Sequence, residues 1–276
     1  MVSKLLVTGA SGYLGTALCA HAAREGWDVV GTYLTHAPDG VRAVALDVRD
    51  GAAAAALVAR EAPDVVVHTA YRQDGDDASA INADGAANVA AAAQAAGARL
   101  VHVSSDVVFG GDGDRPLRED DPVGPVTAYG ATKAAAEERV AALAPAAAIA
   151  RTSLLYGGPG APPSKHEELI LAVAGGEREL TFFDDEVRCP VHVGELAAAL
   201  LELAGTGHRG PLHVAGADAV DRLTFARLVA AARGADPDRL SGRPAPPDRP
   251  RNCALDSGRA RALLRAPLRG VRDVLR

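Results

Sequence analysis

Short continuous apolar runs alternate along the first half of the chain with longer segments whose apolar positions recur at helical spacing. Strands are expected over residues 5–7, 28–32, 41–46, 64–69, 99–104 and 146–152, and helices over 13–24, 52–60, 78–96 and 128–143. The runs are apolar throughout rather than alternating, as strands buried on both faces are. Such strands interleaved with helices predict an α/β fold: a Rossmann-type, doubly wound parallel sheet whose ligands sit beyond the carboxyl ends of its strands. Beyond Tyr156 the rhythm breaks at Gly157-Gly158-Pro159-Gly160-Ala161-Pro162-Pro163, a loop composition. After it come a helix over 165–174, a strand over 187–193 expected to rejoin the main sheet, helices over 195–203 and 223–233, and a proline-rich loop over 244–250. The expected division is a dinucleotide-binding domain over 1–155, with 187–207 returning to it, and a smaller C-terminal substrate-binding lobe from 156–186 and 208–276.

Composition narrows the picture modestly. The 276 residues suffice for a substantial core, and no apolar run approaches the roughly 18 residues of a membrane span. No apolar signal segment follows the opening Met-Val-Ser-Lys, so a cytoplasmic protein without membrane association is expected. The three cysteines, Cys19, Cys189 and Cys253, are odd in number and far apart, which fits free thiols. A net charge of −6 speaks against a general nucleic-acid binder, although the segment from Arg239 onward is rich in arginine. A homodimer is compatible with all of this.

Three stretches carry candidate chemistry. Thr8-Gly9-Ala10-Ser11-Gly12-Tyr13-Leu14-Gly15 follows the first apolar run and opens the first helix. Backbone amides and the helix N-terminus suit a phosphate there, with Gly9 for the turn, Gly12 for close approach and Gly15 for helix–strand contact. The spacing Gly-x-x-Gly-x-x-Gly also fits an ordinary glycine turn. Tyr129-Gly130-Ala131-Thr132-Lys133 puts a phenol and an ammonium four residues apart, on one helix face, where the cation would favour the phenolate. Ser104 and Ser105 end the strand over 99–104 and present hydroxyls at the carboxyl edge of the sheet. In their other reading they only terminate it.

With these motifs in order, the chain resembles the extended short-chain dehydrogenases/reductases, and among them the dTDP-4-dehydrorhamnose reductase family. Ser104-Ser105-Asp106-Val107-Val108-Phe109-Gly110-Gly111 is similar to that family's Ser-Thr-Asp-Tyr-Val-Phe-Asp-Gly segment. Arg151-Thr152-Ser153-Leu154-Leu155-Tyr156-Gly157 and Arg249-Pro250-Arg251-Asn252-Cys253-Ala254-Leu255 resemble its Arg-Thr-Ser-Trp-Val-Tyr-Gly and Arg-Pro-x-Asn-Ser-x-Leu segments. The resemblance implies an NAD(P)-dependent oxidoreductase that reduces a ketone, the 4-keto group of a nucleotide-linked deoxysugar. It makes Ser105 the residue that positions the carbonyl, Tyr129 the acid, and Lys133 its tuner and a ribose ligand. Asp106, Val107, Leu154 and Arg249 fall at substrate positions. The arginine-rich tail, including Arg249 and Arg251, could clamp a substrate diphosphate, its other reading being a solvated basic helix that pairs with the acidic body.

The cofactor is expected to contact Gly9, Ser11, Gly12, Tyr13, Leu14 and Gly15, then Thr32, Tyr33 and His36 at the end of the second strand. Asp47 and Val48 would lie beside the adenine, with helix capping as the other reading of Asp47. Thr69, Ala70 and Tyr71 would meet the nicotinamide end together with Tyr129 and Lys133. The second strand ends without an acid to hold ribose hydroxyls, so NADPH is expected, with NADH as the alternative. Two aromatic positions of the family, which flank the sugar, are Val107 and Leu154 here; that puts the deoxyhexose in question. A cofactor-binding regulatory homologue and a sugar-nucleotide epimerase are the competing readings. Asp106-Val107 stands where related dehydratases have Asp-Glu, which argues against dehydration. Histidines 68, 102, 192 and 213 sit in or beside separate strands, so a metal site is not expected. Asn82 is expected to be structural.

Overall fold

A computed structural model describes residues 3–276. Its main sheet has seven strands in the order β11-β6-β5-β4-β1-β2-β3. In chain order, β1 is Lys4–Thr8, β2 Asp28–Tyr33, β3 Arg42–Ala45, β4 Val65–His68, β5 Arg99–Ser105, β6 Ala148–Thr152 and β11 Gly210–His213. The pairs β1–β2, β2–β3, β1–β4 and β4–β5 are all parallel. The intervening helices are α1 (Tyr13–Arg24), α2 (Gly51–Glu61), α3 (Gly85–Ala96) and α4 (Ala128–Leu143). The doubly wound parallel sheet is therefore present as the apolar runs required. Leu5, Leu6, Val7 and Val66 are completely buried, and Leu57, Val89 and Val140 pack from the helices onto Leu6, Val66 and Leu100. Burying each such side chain contributes on the order of 1.5–3 kcal/mol.

The strand order reverses between β1 and β4, which pair side by side although β2 and β3 intervene in the chain. At such a switch point the loops leaving adjacent strands diverge and open a crevice at their carboxyl ends. Thr8 and His68 are the paired last residues of the two strands, and the Thr69 amide continues the ladder to the Thr8 carbonyl at 3.1 Å.

The chain divides into two compact units. One comprises the chain up to Ser105 together with Ala128–Ala150 and Ala197–Leu212; the other comprises Asp106–Thr127, Arg151–Leu196 and His213–Arg276. Relative to the sequence-based division, the segments 106–127, 151–155 and 187–196 fall in the second unit and 208–212 in the first. The second unit contains β7 (Leu155–Tyr156), α5 (Lys165–Ala174), β8 (Phe182–Phe183), β9 (Val187–Arg188), β10 (Val191–His192), β12 (Val220–Asp221), α7 (Arg222–Ala232), β13 (Gly242–Arg243), α8 (Gly258–Leu263) and α9 (Val271–Val274). Its core is built on Tyr156, Ile170, Phe225, Val229 and Leu240. The remaining helix, α6 (Val193–Ala204), runs through the boundary at Leu196.

Two expectations are corrected. The run over 187–193 is not one strand and does not rejoin the main sheet. Pro190 interrupts it, leaving β9 paired antiparallel with β12 and β10 paired with β7. The edge of the main sheet is taken by β11 instead. The helix expected over 78–96 begins with a π-helical turn, Ala80–Asp84, before α3. Asn82 lies in that turn, buried, and donates to the Arg72 carbonyl while accepting from the Arg72 amide, both at 2.8 Å.

Candidate active site

The glycine turn has the geometry that a dinucleotide requires. Gly9 is left-handed, with φ of 72°, and a Cβ there would stand 2.7 Å from the Cα of Ala70. A Cβ on Gly15 would come within 2.2 Å of the Gly9 carbonyl oxygen, so α1 lies directly against the turn. Gly12 is the N-cap of α1, no acidic side chain stands in the first turn of the helix, and Ser11 and Gly12 are exposed. The positive end of the helix therefore has no internal carboxylate competing for it. Tyr13 is half-buried and Leu14 buried, so these two pack the turn rather than extend from it. Thr69 donates its hydroxyl to the Thr8 carbonyl at 2.7 Å, fixing the loop that carries Ala70 and Tyr71. A turn in which added methyl groups would strike backbone, leading into a helix N-terminus with exposed Ser11 and Gly12, fits a dinucleotide cofactor.

Tyr129 and Lys133 both lie in the first turns of α4, four residues apart as expected. The ammonium of Lys133 is 3 % exposed and donates to the Val103 carbonyl at 2.7 Å, which ties α4 to β5 two residues before Ser105. Burial pushes the Lys133 pKa down to about 8, partly opposed by the nearby Glu137 carboxylate. The first turn of α4 is held from the π-helical segment as well. Asn82 donates to the Thr132 hydroxyl at 2.9 Å, and that hydroxyl donates to the Tyr129 carbonyl at 2.8 Å. The Tyr71 ring, 58 % exposed, stands 6.0 Å from the Tyr129 ring, centroid to centroid. The first unit thus carries Ser105, Tyr129 and Lys133 on two directly bonded elements.

Below them lies a buried imidazole pair. His68 and His102 stack with centroids 5.3 Å apart, and His68 Nδ1 shares a 2.6 Å hydrogen bond with the Thr8 hydroxyl. Desolvation, with the charge of Lys133 second, lowers His68 to about 3 and holds His102 well below its ordinary value. Both are neutral near pH 7. Among the described residues no group of three His, Cys, Asp or Glu side chains is placed to hold a metal ion.

The end of β2 sorts the remaining cofactor candidates. Thr32 is buried and its carbonyl accepts from the Ala10 amide at 2.8 Å, so it belongs to the floor of the turn. Tyr33 is half-buried, whereas Thr35 and His36 are exposed and bonded to each other at 2.9 Å. Asp47 is held by Arg49 in a bidentate pair, and this arginine keeps its carboxyl below the usual range. The capping reading of Asp47 fails: Asp50 caps α2, accepting from the Ala53 amide at 2.9 Å. Val48 is buried against Gly85.

The second unit holds the other candidates. Asp106 is buried, accepts from the Ser153 hydroxyl at 2.6 Å and lies 3.6 Å from the Arg188 guanidinium. Val107 is half-buried, and Leu154 packs on the core of this unit. Arg249 is engaged by Glu186 and stacks over Phe183, centroid distance 5.6 Å. A cavity of about 550 Å³ opens between Gly110, Gly111, Val123, Val126, Arg249 and Arg251. Glu186 and Arg188 were not singled out from the sequence. They are nearly inaccessible and bonded to each other at 3.2 Å, and Arg188 also donates to the Pro250 carbonyl at 3.0 Å. In the sequence they are part of a short charged run, Asp184-Asp185-Glu186-Val187-Arg188, that reads as a solvated segment.

Comparison with known proteins shows the family. The model of the RmlD substrate binding domain matches residues 3–276. A dTDP-4-dehydrorhamnose reductase of Mycolicibacterium smegmatis is 35 % identical over 290 residues, covering 100 % of this chain and 84 % of that protein. One of Mycobacterium tuberculosis is 38 % identical over 250 residues, covering 86 % and 78 %. A crystal structure of dTDP-4-dehydrorhamnose reductase from Bacillus anthracis, in complex with NADP, superposes with a TM-score of 0.82 at 26 % identity, covering 100 % of this chain and 96 % of that one. The chain belongs to the dTDP-4-dehydrorhamnose reductase family of extended short-chain dehydrogenases/reductases.

Proposed function

We propose that this protein reduces the 4-keto group of a nucleotide-linked deoxysugar, with NADPH as the preferred reductant. The observation that carries the reading is the bonding of Lys133 to Val103, which brings the Tyr-Lys face of α4 onto the strand that ends in Ser105. Bound NAD(P)H supplies the two electrons and the hydrogen that reach the carbonyl carbon. Ser105 donates its hydroxyl proton in a hydrogen bond to the carbonyl oxygen and fixes its position. Tyr129 gives its phenolic proton to the same oxygen, and the cation of Lys133 stabilises the phenolate left behind. The turn from Gly9 to Gly15 and the N-terminus of α1 would hold the pyrophosphate. Exposed Thr35 and His36, with no acid at the end of β2, support a cofactor carrying a 2′-phosphate. Asp106, bonded to Ser153 and paired with Arg188, is engaged in structure, which favours reduction over dehydration.

The test is oxidation of NADPH in the presence of dTDP-4-keto-6-deoxy sugars by wild type and Tyr129→Phe. Turnover is expected to fall by about 10²- to 10⁴-fold in the variant with cofactor affinity retained. Undiminished turnover overturns the assignment, absence of turnover in wild type favours a regulatory homologue, and faster turnover with NADH reverses the cofactor preference.

A further inference from the structure

Lys133 is a buried ammonium that donates to the neutral Val103 carbonyl, so its charged form depends on a nearby anion. Its surroundings identify that group. From β4 and β5 it is faced by His68 and His102, both neutral. From the π-helical turn comes Asp84, which is exposed and paired with Arg139 of α4 at the surface. α3 contributes no ionisable side chain. On α4 itself Tyr129 lies one turn before Lys133 and Glu137 one turn after, so the three share one helix face. Glu137 is 6 % exposed and accepts a 2.5 Å hydrogen bond from Ser104, the residue adjoining Ser105.

We infer that Glu137 is a positioning residue of the reductase: it holds Lys133 in its charged form and, through Ser104, fixes the strand end that carries Ser105. The inference rests on the proposed role of Tyr129 and Lys133, and it extends the pair into a line of three, Tyr129, Lys133 and Glu137. An opposite charge one turn along the same helix face favours the charged form of Lys133, and burial leaves little solvent to screen this pair. Burial brings Lys133 down to about 8, so the loss of such a partner would discharge it near neutrality. Discharge would leave the phenolate of Tyr129 unsupported as the proton is given up.

The chain has three lysines, Lys4, Lys133 and Lys165, so a protein labelled with ¹³C at lysine Cε gives a spectrum simple enough to follow each titration without cofactor or substrate. In Glu137→Gln the amide oxygen still accepts from Ser104, but the charge is gone. The Lys133 midpoint is expected to fall by about 1 pH unit, and the alkaline limb of kcat for reduction to move down with it. Glu137→Asp keeps the charge and is expected to hold both near wild type. A general loss of folding would lower kcat at every pH without moving the limb. An unchanged Lys133 midpoint in Glu137→Gln overturns the inference even if the wild type is an active reductase. A shifted midpoint in a wild type that reduces no ketone leaves the electrostatic role standing and removes the catalytic reading instead.

Discussion

Arg249 grips Glu186 with two hydrogen bonds, Nε to Oε2 at 2.9 Å and Nη2 to Oε1 at 3.1 Å. Glu186 is 1 % exposed and also meets Arg188 and Arg222, so it is the hub of a buried charge network in the second unit. That pairing occupies the Nε–Nη2 edge of Arg249, so the guanidinium has less to offer a diphosphate than an unengaged one. Arg251 lines the same cavity, is 62 % exposed, and lies 3.7 Å from its nearest carboxylate, Asp185. Arg249→Ala should therefore lower stability by about 1 kcal/mol, the pair being partly exposed. Arg251→Ala should leave unfolding unchanged and raise KM for the nucleotide sugar about tenfold, one charge-assisted hydrogen bond's worth. Urea titrations and steady-state kinetics on the two variants check both; the reverse pattern would restore Arg249 as the anion ligand.

Tyr71 offers exposed aromatic surface beside Tyr129, the proposed acid, in a chain that has Val107 and Leu154 at two of the family's aromatic positions. An aromatic contact is worth about 0.5–1.5 kcal/mol. Tyr71→Ala is expected to raise KM for a nucleotide sugar about three- to tenfold with a smaller change in kcat. Tyr71→Phe should restore KM. A kcat collapse at unchanged KM would place Tyr71 in the proton transfer instead.

Glu167 is fully buried and accepts from the amides of Gly157, Gly158 and Ser164 and from Arg233. Burial alone would raise its pKa, but the amides of Ser164 and Gly157 and the Arg233 guanidinium outweigh it and the value is lowered. A carboxyl lowered in the folded state stabilises fully above its unfolded pKa of about 4.3 and loses that contribution as pH falls through the folded value. Glu167→Gln, which turns an NH₂ toward these donors, should cost about 3 kcal/mol at pH 7. The gap from wild type should narrow as pH drops below about 4. Denaturant midpoints at pH 7, 5 and 3.5 test this, and a gap that stayed constant with pH would show that packing rather than charge carries it.

What could be read from the sequence follows from range. Helices α1, α4 and α5 match the expected bounds because caps, breakers and apolar spacing are local signals. Tyr129 and Lys133 were legible for the same reason, being one turn apart. The π-helical turn at Ala80–Asp84 was not, since its cause is the reach of Asn82 to Arg72 and Thr132, ten and fifty residues away. Of β11 only the end around His213 was legible as strand, because Gly210-Pro211 opens it with poor strand formers, and its place in the sheet is set by the neighbouring strand. The partner of Arg249 lies 63 residues upstream, beyond any pattern in its own segment. Glu137 was the exception: its spacing from Lys133 is helical, and only the hydroxyl of Ser104 was lacking to give it meaning.

The first of the chain's crossings between the two units falls at the peptide bond from Ser105 to Asp106. Ser105, Tyr129 and Lys133 are inherited with one unit; Asp106, Val107, Leu154 and Arg249 with the other. Substitutions in the second unit can therefore change the proposed substrate positions while Ser105, Tyr129 and Lys133, the proposed catalytic residues, stay as they are. Val107 and Leu154 are then substitutions a lineage can accumulate without first giving up catalysis.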